Sequence, residues 1–124
     1  MIHYHPAVPI GTVSAESIRV FGVLPTEGKG LPMDGMDVFL AVEQAPGPTD
    51  YWIIELGALL GTGLFETRAQ MARPQIGLAK GRNSMDFAPE VRYSTGEVVA
   101  VRVRPIGSPA ALTGCDVVLR IQEP

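Results

Sequence analysis

Residues 97–104 read EVVAVRVR. Val99, Val101 and Val103 alternate with Ala100, Arg102 and Arg104, a period of two that gives an extended strand one apolar and one mixed face. The Ser-Thr-Gly turn signal at 94–96 precedes the run and Pro105 closes it. A helix would scatter the three valines around its circumference, so the stretch is a strand with its valines inward. The same alternation returns in CDVVLRIQ (115–122), with Val117, Leu119 and Ile121 inward and Arg120 outward. A one-residue slip would turn either set to water, which fixes the register firmly.

Further strands follow by the same rule. Trp52, Ile54 and Leu56 share a face in DYWIIELG, as do Val38, Leu40 and Val42 in MDVFLAVE, with Asp37, Phe39 and Glu43 opposite. In ESIRVFGVLP the pairing is Ile18, Val20 and Leu24 against Arg19, Phe21 and Val23. In LFETRAQM it is Phe65, Thr67, Ala69 and Met71 against Glu66, Arg68 and Gln70, and PQIGLAK (74–80) is expected as a shorter strand. Fourteen glycines and eleven prolines fall between the apolar runs, which marks many short strands joined by turns. Residues 25–36, 43–50 and 80–90 are expected as exposed loops. GALLGTGLFETRAQMA is the best helix candidate, and its three glycines count against it. The expectation is an all-β, single-domain antiparallel β-sandwich or jelly-roll-like fold of seven or eight short strands. Residues 1–15, with His3, Tyr4, His5, Pro6 and Pro9, are expected as an extended N-terminal arm and 16–124 as the sandwich domain.

Length and charge restrict function. A chain of 124 residues suits one domain and buries a real core without staples. Thirteen acidic against ten basic residues give a net charge of −3, which argues against a nucleic-acid partner. No apolar stretch reaches the ~18–20 residues of a membrane helix, and no membrane partner is expected. MIHYHPAVPIGTVSA has no basic start or continuous apolar stretch and makes a poor secretion signal. Cys115 is the single cysteine, so no internal disulfide forms, and synthesis in a reducing cytoplasm is the simpler expectation. Eight of the ten basic residues are arginine, the side chain suited to planar contact with carboxylates, though base composition in a GC-rich genome produces the same bias.

Chemistry-bearing patterns are sparse. GALLGTGLF lacks the Gly-Lys-Ser/Thr ending of a phosphate loop, so Gly61 and Gly63 suit a turn. His3 and His5 would share one side of a strand, but zinc takes three or four ligands and no spacing supplies the rest. With two histidines in a proline-broken segment and no Gly-x-Ser-x-Gly elbow, a nucleophile–base pair has no firm seat. Asp34 and Asp37 in MDGMD fall short of a calcium loop. Cys115 reads as an inert small core residue, and Trp52 as a core anchor in preference to a sugar platform with Tyr51. No catalytic residue, metal or cofactor is expected. Arg102, Arg104 and Arg120 lie on outward faces, either as solvated cover for the sheet or as contacts to another subunit.

In pattern the whole chain resembles the small β-sandwich, often jelly-roll-like, proteins of tailed-bacteriophage particles, above all head decoration or cement proteins. The match is best over MDFAPEVRYSTGEVVAVRVRPIGSPAALTGCDVVLRIQEP (85–124), a strand pair joined by a glycine- and proline-rich loop. The resemblance implies a non-enzymatic virion subunit, made in the bacterial host cytoplasm, that forms a homo-oligomer and binds the major capsid or another virion protein, often through an extended arm. Arg102, Arg104, Arg120, His3, Tyr4 and His5 are then the candidate interface. A carbohydrate- or receptor-binding module is the alternative that the same fold would serve, and exposed aromatics would mark it.

Overall fold

The chain pairs with itself as one long hairpin folded over. In the computed structural model, which describes residues 2–4, 7–23, 31–94 and 96–122, there are nine strands and no helix among those residues. They are β1 (Ile2–Tyr4), β2 (Val8–Val13), β3 (Ser17–Val23), β4 (Leu31–Leu40), β5 (Tyr51–Leu59), β6 (Phe65–Ala72), β7 (Gly81–Tyr93), β8 (Val98–Ile106) and β9 (Leu112–Gln122). β2 pairs β9, β3 pairs β8, β4 pairs β7 and β5 pairs β6, every pair antiparallel. Two further pairings, β4 with β9 and β5 with β8, roll this hairpin into two sheets. Sheet A has the order β1/β2–β9–β4–β7 and sheet B the order β3–β8–β5–β6. Only the β5–β6 turn stays within a sheet among the links from β2 to β9, which is the jelly-roll wrap of a sandwich.

Between the sheets lies the core that the alternation predicted. Val99, Val101, Val103, Trp52, Ile54, Leu56, Val117 and Leu119 are all buried, and Ile121 packs partly against them. Trp52 anchors the sandwich, its indole N–H donating to the Ala110 carbonyl at 2.8 Å. Cys115 is buried in the same layer, and burial pushes its thiol up to about 12, as befits an inert core residue.

Bulges account for the main departures from the expected strands. Residues 31–36, expected within a loop, begin β4, and Met33 and Met36 both reach the core. Their spacing of three hides a strand because Asp34 is an extra residue relative to β9, between Met33 opposite Ile121 and Gly35 opposite Arg120. Residues 81–90, also expected as loop, belong to β7, where positions 87–90 stand opposite Asp34 alone. In β6 the extra residue is Arg68, so Ala69 and Met71 face inward while Phe65 and Thr67 pair with the outward Leu59 and Gly57. The expected shared face of those four side chains is therefore split. PQIGLAK is a turn tied to the preceding loop by a bridge from Leu78 to Gln44 and by the Gly47 N–H donating to the Pro74 carbonyl at 2.8 Å, and Ile76 stands exposed on it. Val42 lies beyond the end of β4 and is exposed, unlike Val38 and Leu40. Phe21 is the extra residue of β3 and packs toward the core, whereas Val20 is 48% exposed.

Of the expected arm, residues 2–4 and 8–13 are strands, and they lie on the edge of the chain's own sheet A. β1 pairs with residues 120–122 of β9 and β2 with its earlier part, and Ile10 is buried in the core. No break separates this segment from the sandwich at residue 15, since β2 is part of the nested hairpin. Met1, His5 and Pro6 fall outside the described residues. Removal of residues 1–14 strips the edge of β9 and empties the Ile10 site, a loss of about 2–5 kcal/mol for the side chain alone. The expected outcome is a urea midpoint well below that of the full chain, read by Trp52 fluorescence.

Candidate functional site

The outward arginines are not simply wet. On sheet B, Glu55 sits in the middle of β5 at a position that faces away from the core, opposite Arg102. It is nevertheless only 2% exposed. Arg102 Nε donates to its Oε2 at 2.6 Å and Arg104 Nε to the same oxygen at 3.3 Å, while Thr67 Oγ1 donates to Oε1 at 3.2 Å. Thr67 reaches Glu55 because the Arg68 bulge has turned it outward. Phe65, turned outward with it, lies under the Arg102 guanidinium, 4.7 Å from Cζ to the ring centre. Gly57 makes this possible, since a Cβ there would overlap the Glu66 carbonyl and crowd the Phe65 ring. Burial alone would raise the Glu55 carboxyl, but the hydrogen bonds and charges of Arg102 and Arg104 outweigh it and hold it below its ordinary value.

Sheet A carries a matching group. Asp37, buried on the outward side of β4, accepts from Ser84 Oγ and from Arg82 Nη2 at 3.2 Å. Arg120 reaches from β9 across β4 to β7, with Nη1 on Asp86 Oδ1 at 2.7 Å, Nη2 on the Met85 carbonyl at 2.7 Å and Nε 3.8 Å from Asp37 Oδ1. Its guanidinium crosses β4 over Gly35, where any Cβ would overlap it. One side chain thus ties three strands together, and a glycine in the middle strand is its precondition.

A third group joins the sheets at their open side. Arg68, the β6 bulge residue, forms a two-point ion pair with Glu97, one arm at 2.9 Å, and lies 4.6 Å above the Tyr93 ring. Tyr93 is buried in β7 and donates its hydroxyl to the Gly57 carbonyl of sheet B at 2.9 Å. Burial drives its phenol well above the ordinary value, so it stays a donor. Beside this group a groove of about 460 Å³ runs between β6 and the bulged part of β7, lined by Arg68, Met85, Asp86, Phe87, Glu90 and Arg92. Its acids and bases are already paired, Arg92 with Glu90 at 2.5 Å and Asp86 with Arg120.

The sequence-predicted candidates are therefore dispersed. Arg102 and Arg104 meet at Glu55 on sheet B, Arg120 stands on the opposite sheet, and the β1 backbone carries His3 and Tyr4 along β9 beside Arg120. His5 lies outside the described residues. Trp52 is buried and so cannot serve as a sugar platform beside Tyr51. Among the described residues no three His, Cys, Asp or Glu side chains are grouped to hold a metal ion. Glu55 and Asp37 were missed as buried acids, although an acid inside the apolar run YWIIELGAL was itself a signal that a cation must cover it.

Three outcomes test these groups. Arg102→Gln leaves Glu55 buried with a single arginine and should cost about 2–3 kcal/mol, against less than ~0.5 kcal/mol for Arg19→Gln on the exposed edge, both read by urea unfolding. Glu55 and Glu97 are depressed below their ordinary 4.5, Glu97 chiefly by the Arg68 hydrogen bonds. Their contribution is complete above pH 4.5 and is lost as pH falls through the lower folded values, so thermal stability should drop on acidification from that point. Glu55→Gln should flatten the drop. Gly35→Ala displaces Arg120 and should lower the melting temperature more than Gly61→Ala, which meets open space in the β5–β6 turn. Comparison with protein-family models and with curated proteins gives no match for this chain.

Proposed function

We propose that the protein is a non-enzymatic structural subunit of a tailed-bacteriophage particle, a head decoration or cement protein that oligomerises and binds the head lattice. The observation that carries this reading is how the buried ionisable groups are used. Glu55, Asp37, Arg120 and the Arg68–Glu97 pair all tie strands together, and their charges are matched where they stand. A general acid or base needs a shifted, reachable group, whereas Glu55 is held ionised under arginines. The jelly-roll wrap supports the reading by analogy, since coat domains of viruses share it with lectins and cupins. Its partner on the particle would be the major capsid protein or another virion protein.

The test is mass-spectrometric identification of the chain in tailed-phage particles purified from cells that produce it. Recovery in a fixed ratio to the major head protein supports the reading. Particles that lack the chain while the cytoplasm contains it overturn it.

A further inference from the structure

β6 and β7 are edge strands of the two sheets, and arginine side chains span the gap between them. Arg73, one residue past β6, donates to the Ser84 carbonyl at 2.7 Å, and Arg68 donates to the Arg92 carbonyl at 3.4 Å. The groove of about 460 Å³ runs along this gap, with Ala69 and Gln70 on one wall and Met85, Phe87 and Val91 on the other. Met85 stands on the inward side of β7, because its register partner is the fully buried Met36. Its side chain packs partly on the core, and it lines the groove. The other methionines are placed differently. Met33 is 2% exposed, Met36 0% and Met71 2%, while Met1 lies outside the described residues. Among the described residues, Met85 is thus the methionine that borders open space.

We propose that Met85 is an oxidation site, a thioether that hydroperoxides reach through the β6–β7 groove and convert to the sulfoxide. The proposal concerns the chain itself and does not depend on the particle reading. A sulfur lone pair attacks one peroxide oxygen, so that an S–O bond forms and the O–O bond breaks. The second oxygen leaves as hydroxide and takes the proton of the new S–OH group, which gives water and the neutral sulfoxide. Sulfur is oxidised by two electrons and the peroxide is reduced by two. The groove has room for this reactant, since hydrogen peroxide is little larger than a water molecule, whose share of liquid volume is about 30 Å³. Arg68, Gln70 and Arg92 bring N–H donors to the same groove, where they can bond the departing oxygen. Close packing denies such an approach to Met33, Met36 and Met71.

Oxidation at this place changes the packing. The sulfoxide oxygen is a strong acceptor and needs water or an N–H donor, so the side chain turns from the core into the groove. The packing of Met85 on the core is then lost on the side where Arg68, Arg73 and Tyr93 hold the two sheets together. Reductases specific for methionine sulfoxide reverse the change, because the oxidised group lies where a second protein can reach it.

The experiment is brief treatment of the folded full chain with hydrogen peroxide, followed by unfolding, tryptic digestion and mass spectrometry. Trypsin separates the methionines: Met85 falls in residues 83–92, Met71 in 69–80 because Arg73 precedes a proline, and Met33 and Met36 share 30–68. Peptide 83–92 should gain one oxygen atom about tenfold faster than either of the others. In a chain unfolded in urea before treatment, all four sulfurs should react alike. The folded chain oxidised at Met85 should melt below the untreated chain. Met85→Leu, a swap of similar volume, should melt at the same temperature before and after the same treatment. The mapping needs no variant and serves if Met85→Leu fails to fold. Oxidation of 69–80 or 30–68 as fast as 83–92 in the folded chain overturns the proposal. So does a folded chain whose 83–92 stays unoxidised, or a melting temperature that peroxide leaves unchanged in the native chain or lowers equally in Met85→Leu.

Discussion

The sandwich depends on a carboxylate placed where a sheet has no water to give it. Glu55 sits at the centre of β5, on the outward side and yet buried, with apolar neighbours above and below. An uncompensated charge there would cost several kcal/mol, so the surrounding strands must supply cations and donors. β8 supplies Arg102 and Arg104, and β6 supplies Thr67. The register of all three strands is thereby specified twice, once by the valines and leucines inside and once by the ion group outside. Such groups contribute less to net stability than to choosing one pairing over its neighbours, because an apolar trio would pack as well but would tolerate a two-residue slip.

The same logic explains the glycines that the fold places mid-strand. Gly57 clears the space in which Phe65 lies beneath Arg102, and Gly35 clears the path by which Arg120 crosses β4. Each is a site of close approach, one on each sheet. Tyr93 and Arg68 then link the two sheets at the β6–β7 side, where the sandwich would otherwise gape. These three groups tie strands and sheets together around the valine layers of the core.

The fold was legible in the sequence wherever strands are regular. In β5, β8 and β9 successive inward residues stand two apart, and every inward residue assigned to them from the pattern is buried or packs on the core. Legibility failed at bulges. Met33 and Met36 are three apart, and residues 87–90 answer a single residue on β4, so a rule of alternation reads both segments as loop. The candidate site was half legible. The arginines stood out by their face, but their partners did not, because pairing Glu55 with Arg102 and Asp37 with Arg82 requires contacts between residues more than forty apart in the chain. Thr67 was assigned to the wrong face for the same reason, since the extra residue at Arg68 changes parity without leaving a mark in composition.

The irregular edges have a consequence for how this chain behaves when crowded. Fibrillar growth begins when a straight strand with free backbone groups templates another. The longest regular edge run opposite a neighbour in β7 is residues 81–86, and β3 and β6 are interrupted sooner. A β-rich protein with 46% apolar residues is a candidate for runaway stacking, and here the bulges keep the regular edge runs of β3, β6 and β7 to six residues or fewer. Each interruption shortens the straight run along which a second strand could add.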